Sequence, residues 1–395
     1  MPSPPSLFLA QLIQAGSDLF ERLRERLVEF GVGRLRRASQ RVARALAGGP
    51  RRVANVVGGN PHRRPRDRRL RVVDPARLTQ KIRAALAPCR LGDWPTPLEP
   101  APPALAGAVG VAALALKRED RSARRCGGNK VRGLEFLLAG APPGTVFVTV
   151  GGTGSTHCLA TAVHAAALSY RTVLAQFPQP DTPASRAVAA ASAASAALVV
   201  RARSRATLPL ALLSAWRGAR ALGGGPRRWI PGGGAHPRAV VGHLLAGLEL
   251  AAQTRPLEPP DAIVLPLGTG GTAAGVALAV AALGWPTRVV AVRVAPLVVA
   301  NRWRTMQLAR GAARLLERHG ILLPRATSPF PLEVVDGLGK GYGHPTAAGE
   351  AARRLAAEHG LVLDPTYGSK AFAFLVRRAT WDVQRVVFWH TFGIP

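Results

Sequence analysis

From about residue 90 the chain alternates between two hydrophobic periods. Thr145 to Val150 (TVFVTV) is a short apolar run rich in β-branched residues; a glycine loop follows, then a helical stretch from about Cys158 to Ser169. Arg171 to Gln176 reads as the next strand, the alanine-rich segment 184–197 as a helix, and Ala197 to Val200 as a further strand. Beyond a polar, glycine-rich crossing at Gly223 to Gly234, the pattern predicts a helix over 239–253 and a strand at Ala262 to Leu267. A helix over 272–284 and a strand at Val289 to Val294 come next. Short apolar strands alternating with longer helical segments mark parallel strands joined by crossover helices. The expected fold is α/β, with open parallel sheets carrying helices on both faces. Ligands then belong outside the carboxyl ends of the strands.

Residues 1–75 have a different texture. Leu7 to Leu46 predicts one or two amphipathic helices, and Gly48 to Arg69 is a Gly/Pro/Arg-rich linker. Sixteen arginines against six acidic residues give this segment +10 of the chain's net +31. The densest run, Arg63-Arg64-Pro65-Arg66-Asp67-Arg68-Arg69, has no interleaved aromatic residues to stack on bases. Loose attraction to polyanions is the expectation, with no specific nucleic-acid partner. Asp18, Glu21, Glu25 and Glu29 count against a transit peptide, and Met1 to Gln14 lacks the cationic lead of a secretory signal. The segment is therefore expected to be a dispensable extension. Three cysteines without metal-ligand spacing point to no metal and to a reducing, cytoplasmic compartment. No apolar run approaches the ~18 residues that span a bilayer. At 395 residues and 48% hydrophobic, the chain can bury one large core or two medium ones.

Candidate chemistry begins at Lys130, one of five lysines against forty-eight arginines. It ends the run Cys126-Gly127-Gly128-Asn129-Lys130 at the start of an apolar helical stretch. A lysine amine can lose its proton near neutral pH and attack a carbonyl, which a guanidinium cannot do. A glycine turn carrying an exposed lysine is the alternative. Gly268-Thr269-Gly270-Gly271-Thr272 follows a strand and opens a helix, the build of a phosphate cradle; tight helix–sheet packing would favour the same glycines. It lacks the GK[ST] ending of a nucleotide P-loop and the spacing of the dinucleotide fingerprint. A second loop, Gly151-Gly152-Thr153-Gly154-Ser155-Thr156-His157, has the same setting and suits a substrate carboxylate, or Ser155 acts there only as a helix cap. A deprotonatable lysine, a phosphate cradle and a carboxylate loop together describe a pyridoxal 5'-phosphate enzyme acting on a small amino acid.

Ordered motifs then show a resemblance. Trp94-Pro95-Thr96-Pro97-Leu98-Glu99, Lys117-Arg118-Glu119-Asp120, Gly127 to Lys130 with Arg132, and Leu134-Glu135-Phe136 come first. The Ser155 loop, Pro231-Gly232-Gly233-Gly234, Gly268 to Thr272 and Gly341-Tyr342-Gly343-His344-Pro345 follow, then Leu363-Asp364-Pro365-Thr366-Tyr367 and His390-Thr391. In order and spacing these resemble the 1-aminocyclopropane-1-carboxylate deaminase/D-cysteine desulfhydrase family over about residues 90–395. The resemblance implies the fold type II (tryptophan synthase β-subunit-like) arrangement, with the cofactor between two α/β domains. These would be a large cofactor-binding domain (76–132 and 239–395) and a small substrate-side domain (133–238), in a homodimer. It implies that Lys130 binds the cofactor aldehyde and moves the α-proton, and that Asn129 bonds the phenolic oxygen. Gly268, Thr269, Gly270, Gly271 and Thr272 would hold the phosphate, and Ser155 with the amides of Thr156 and His157 the substrate carboxylate. Tyr342 and Tyr367 would line the substrate face.

Three positions depart from that pattern. Gly154-Ser155-Thr156 stands where Gln-Ser-Asn is usual, removing two side-chain amides. Gly368 follows Tyr367 where the family carries Glu or Thr as partner of the pyridine nitrogen, and Phe392 replaces a glycine. Without an acidic partner at that nitrogen the electron sink weakens. β-Elimination from a D-cysteine-like substrate is then expected over cyclopropane opening. A cyclopropane deaminase, a cofactor-binding relative without turnover and a polyanion-binding protein remain the alternatives.

Overall fold

Every residue of Ala262–Leu267 is buried, as an unbroken apolar strand covered on both faces must be. In the computed structural model, residues 73–254, 258–324, 330–377 and 382–392 are described. The features expected over Leu7 to Leu46 and Gly48 to Arg69 lie outside them. Two sheets organise the described chain. The six-stranded sheet holds β1 (Leu98–Pro100), β2 (Ala113–Arg118), β7 (Ala262–Leu267), β8 (Arg288–Arg293), β9 (Leu332–Asp336) and β10 (Arg385–His390) in the order β1-β2-β10-β7-β8-β9. The four-stranded sheet holds β3 (Val146–Gly152), β4 (Arg171–Phe177), β5 (Leu198–Arg201) and β6 (Arg227–Ile230) in the order β5-β4-β3-β6. All pairings are parallel except the edge strand β1, which runs antiparallel to β2.

The helices are α1 (Pro75–Leu86), α2 (Pro103–Val109), α3 (Lys130–Leu138), α4 (Thr156–Ala167), α5 (Pro183–Ser195) and α6 (Leu208–Ala221). Then come α7 (Pro237–Thr254), α8 (Gly271–Leu283), α9 (Arg302–Arg318), α10 (Ala347–Glu358) and α11 (Gly368–Arg377). Strand alternation divides the core. Ala262 and Val264 of β7 pack with Leu105 of α2, Ala352 of α10 and Phe372 of α11. Ile263 and Leu265 face the opposite side, against Leu250 of α7 and Val276 of α8. In the smaller sheet Phe147 packs with Leu134 of α3 and Ala160 of α4, while Val146 and Val148 meet Ala215 and Ala219 of α6. Helices thus cover both faces of each sheet, as the alternating pattern predicts.

One expected crossing contains a strand. Arg227–Ile230 lies within the glycine-rich stretch and pairs with β3 at the sheet edge. Its two leading arginines conceal the apolar alternation, and edge strands tolerate such charges. The strands of the larger sheet beyond Arg293 include β10, which returns to the middle of it between β2 and β7. His390 and the following Thr391 and Phe392 therefore sit at the carboxyl end of a central strand.

A buried charge cluster sets the position of α3. Arg132 donates to both carboxylate oxygens of Glu119, at 2.6 and 2.7 Å, and to Glu249 of α7 at 2.8 and 3.1 Å. Lys117, fully buried, donates to Glu249, to Gln253 and to the Thr96 carbonyl. Two cations face two carboxylates, so the cluster is neutral, and each member is hydrogen-bonded as burial demands. One turn on, Glu135 accepts from the backbone amides of Leu91 and Gly92 and from the Trp94 indole. The motif residues around Lys130 are thus largely scaffold, anchoring α3 to β2, α7 and the segment before β1.

Candidate active site

A cleft is lined by Asn129, Lys130, Thr156, Gly268 to Thr272, Tyr367, Thr391 and Phe392, brought together chiefly by the starts of α3, α4 and α8 and the end of β10. Lys130 is the first residue of α3, and burial pushes its amine down to about 8. Two buried histidines carry no competing charge. Burial and then the nearby Lys130 charge hold His157 down to about 3, and the same influences, with Arg132, hold His243 well below its usual range. Both are neutral at pH 7.

The phosphate-type loop is built as its glycines require. Gly270 caps α8 with φ 93°, and a Cβ there would sit 2.8 Å from Thr305 Oγ1. The first-turn amides of α8 have no intrahelical acceptor, and the helix dipole favours an anion there. The Thr269 hydroxyl is buried without a partner. Thr272 Oγ1 accepts a 2.7 Å bond from Asn129 Nδ2, which leaves its own hydrogen free to donate to an anion. Free donors around an anion-sized corner, with a depressed amine in the same cleft, fit a phosphate-bearing aldehyde. Asn129 is held by its backbone as well, through a 2.8 Å bond to the Thr391 carbonyl. Its second side-chain N–H remains free to donate.

The carboxylate loop is arranged differently from a simple wall of side chains. Ser155 is buried and caps α4, its Oγ accepting from the Cys158 amide at 3.4 Å. Thr156 lines the cleft. The His157 ring turns away to Thr149. Thr149 Oγ1 donates to the Ile230 carbonyl and so must accept from His157 Nε2–H, leaving Nδ1 as an unpartnered acceptor. What α4 offers the cleft is its first-turn amides and Thr156.

Tyr342 does not line the cleft itself but bonds the Tyr367 hydroxyl at 2.7 Å, and Tyr367 does line it. Burial raises both phenols, Tyr342 to about 12 and Tyr367 well above its usual value. The pair holds its protons at neutral pH and has one available to donate. At the departure after Tyr367, the Gly368 amide donates to Asp364 Oδ2 at 2.7 Å, and Thr366 and Tyr367 amides donate to Oδ1. Asp364 thereby closes the turn into α11. A Cβ on Gly368 would lie 3.0 Å from that carboxylate, so a side chain here would crowd a buried corner. The Ser369 hydroxyl is packed near Gly349 of α10 and is absent from the cleft lining. Phe392 packs over Gly128, whose φ of 140° and missing side chain make room for the ring. His390 lies 3.2 Å from Asp120, and although burial opposes it, His390 and Arg118 hold that carboxyl well below the usual range.

Sequence reasoning passed over His243, which underlies the glycine loop, and Asp364 as the turn-closing carboxylate. An isolated histidine on an apolar helix leaves no signal. The Asp-Pro-Thr-Tyr run did carry one, because an aspartate bonds backbone amides two and three residues on. Among the described residues no cluster of side chains could hold a metal ion, and no helix is long and apolar enough to cross a membrane.

Known proteins resemble this chain over the region that builds the cleft. Residues 89–391 match the family model described as pyridoxal-phosphate dependent enzyme. The chain is 36% identical over 288 residues to nocardicin C-9' epimerase of Nocardia uniformis subsp. tsuyamanensis, covering 70% of this chain and 85% of the relative. It is 30% identical over 311 residues to D-cysteine desulfhydrase of Salmonella choleraesuis (strain SC-B67), covering 76% and 92%. A solved structure of an ACC deaminase homologue superposes with TM-score 0.66 at 28% identity, covering 80% of this chain and 95% of that one. The processed form of threonine deaminase isoform 2 from Solanum lycopersicum, at 19% identity and TM-score 0.55, shares the fold over 82% of this chain and 86% of its own.

Proposed function

Because the chain belongs to the family of pyridoxal-phosphate dependent enzymes, we propose that it is a lyase that eliminates the β-substituent of a small D-amino acid. For D-cysteine the overall reaction takes up one water and yields pyruvate, ammonia and hydrogen sulfide. The observation that carries this reading is the Lys130 amine, lowered to about 8 and set in one cleft with the Gly268–Thr272 anion corner. The bound cofactor supplies an aldehyde to hold the amino group and a conjugated ring to take up the electron pair released at the α-carbon.

The remaining roles fall to the chain's own groups. The α8 amides, Thr269 and Thr272 would hold the phosphate, and Asn129 the phenolic oxygen. The first-turn amides of Thr156 and His157, oriented by the Ser155 cap, would seat the substrate carboxylate at the positive end of α4. Lys130 would take the α-proton, and its lowered proton affinity keeps a useful fraction of the amine neutral near neutrality. The Tyr342–Tyr367 pair keeps its protons and donates toward the departing group. No side chain at Gly368 is offered to the ring nitrogen, which disfavours cyclopropane opening and suits a reaction whose leaving group carries the electrons away at once.

Epimerisation at the α-carbon is the second reading, supported by the 36% identity to nocardicin C-9' epimerase. Lys130 and the tyrosine pair supply a base and an acid for it. The deciding assay incubates the holoenzyme with D-cysteine and D-serine in deuterated water. Elimination predicts pyruvate and ammonia in equal amounts, with sulfide from D-cysteine. Deuterium at the α-carbon without carbonyl product would favour epimerisation, and the absence of both would leave the proposed lyase without support.

A further inference from the structure

We infer that Gln179, outside every motif that marks the cofactor site, reads the β-substituent of the substrate as a hydrogen-bond donor; this rests on the amino-acid reading of the cleft. Gln179 lies two residues beyond β4, yet its carboxamide enters the carboxylate loop from outside. A Cβ built on Gly152 or on Gly154 would collide with Gln179 Oε1 and Nε2 respectively. The loop has glycine at both places, and a side chain from another element occupies the space. A backbone bond of 3.0 Å from the Thr153 amide to the Phe177 carbonyl ties this loop to the end of β4.

The carboxamide sits between two features with opposite tasks. On one side is the start of α4, where the substrate carboxylate is proposed to rest. On the other is Tyr342, whose Cε1 lies 3.2 Å from the same Gly152 Cβ position and whose hydroxyl bonds Tyr367. Gln179 and Tyr342 stand behind the cleft lining, and an amino acid held by its carboxylate with its β-group passing Tyr367 toward Tyr342 would direct that group at Gln179. The decisive detail is that Gln179 Oε1 is buried without a hydrogen-bond partner. A buried acceptor left unpaired is costly, and a ligand that brings a donor relieves that cost. A hydroxyl or thiol on the β-carbon brings one; a cyclopropane or methyl group does not. A carboxylate there would oppose the carbonyl oxygen. The site therefore selects β-hydroxy and β-thiol amino acids, using a carboxamide that the Gly154 loop no longer carries itself.

D-serine and D-alanine differ by the one hydroxyl at issue. Their dissociation constants are read from the amplitude of the rapid absorbance change of the bound cofactor on mixing with holoenzyme, before product forms. Wild type is expected to bind D-serine about tenfold or more tightly than D-alanine, in line with one relieved acceptor. Gln179→Leu and Gln179→Met should bring that ratio near one while changing D-alanine affinity less than about twofold. Retained cofactor absorbance shows that the variants are folded and loaded. An unchanged ratio, equal loss for both amino acids, or no spectral response to either would overturn the assignment. Absence of pyruvate release with the ratio shift intact would remove the lyase reading and leave Gln179 as the selecting residue.

Discussion

Lys130 is chemically useful because its surroundings oppose its charge without offering a partner. Burial lowers the amine to about 8, and the neutral His157 and His243 beside it add no counter-charge. Two measurements follow at this scale. Lys130→Arg should keep the fold and lose the covalently bound cofactor's absorbance, since a guanidinium stays protonated; a coloured Lys130→Arg protein would refute the assignment. In wild type, the rate at which cofactor-free protein regains that absorbance should rise with pH and level off above about 8. At one unit below it should be roughly tenfold slower, because only the neutral amine attacks the aldehyde. A rate that keeps rising about tenfold per pH unit from about 8 to 9.5, with no plateau, would contradict a lowered amine.

Among elements, α3 bears the reacting residue on its first turn and the anchoring residues close behind it. Arg132 and Glu135 lie on the buried side, and Arg132 also stacks on Trp94 with its guanidinium carbon 3.9 Å from the ring centroid. Arg132→Met should destabilise by about 3–5 kcal/mol, since Glu119 and Glu249 would then be buried without their shared cation. The shift in urea midpoint at unchanged slope measures it. A loss under ~1 kcal/mol would show that Lys117 alone neutralises the cluster. The same element explains the glycines of Gly127-Gly128: the first approaches the Asp120 carbonyl too closely for a side chain, and the second clears Phe392. That constraint, rather than the lysine alone, accounts for the shape of the motif.

For the whole molecule, the strongly basic residues 1–72 are expected to be dispensable for the enzyme core. Helix α1 begins at Pro75 under an Asp74 cap, and its Ile82 and Leu86 pack into the core with Val240 and Leu244 of α7. Deleting residues 1–72, which spares that cap, should leave cofactor loading and thermal midpoint within about 2 °C of the full chain, less than a ~1 kcal/mol change would produce. A truncated protein that fails to load cofactor would assign the leader to the fold. Much of this architecture was legible in sequence, because strand and helix periods are local properties. The predicted strands at Arg171 to Gln176 and Ala262 to Leu267 coincide with β4 and β7 to within a residue. Lys130 and the Gly268–Thr272 loop were legible for a similar reason, since glycine-rich turns at helix starts state their own backbone needs. Tertiary structure alone decided the rest. β6 was hidden by edge arginines, and β10 takes a central place that nothing local announces. Whether Ser155 faces ligand or caps a helix depends on where α4 begins. That Gln179 fills the space beside Gly152 and Gly154 depends on two loops meeting. Periodicity records what each segment buries, whereas a site is made where segments distant in sequence converge, and that convergence is set by packing.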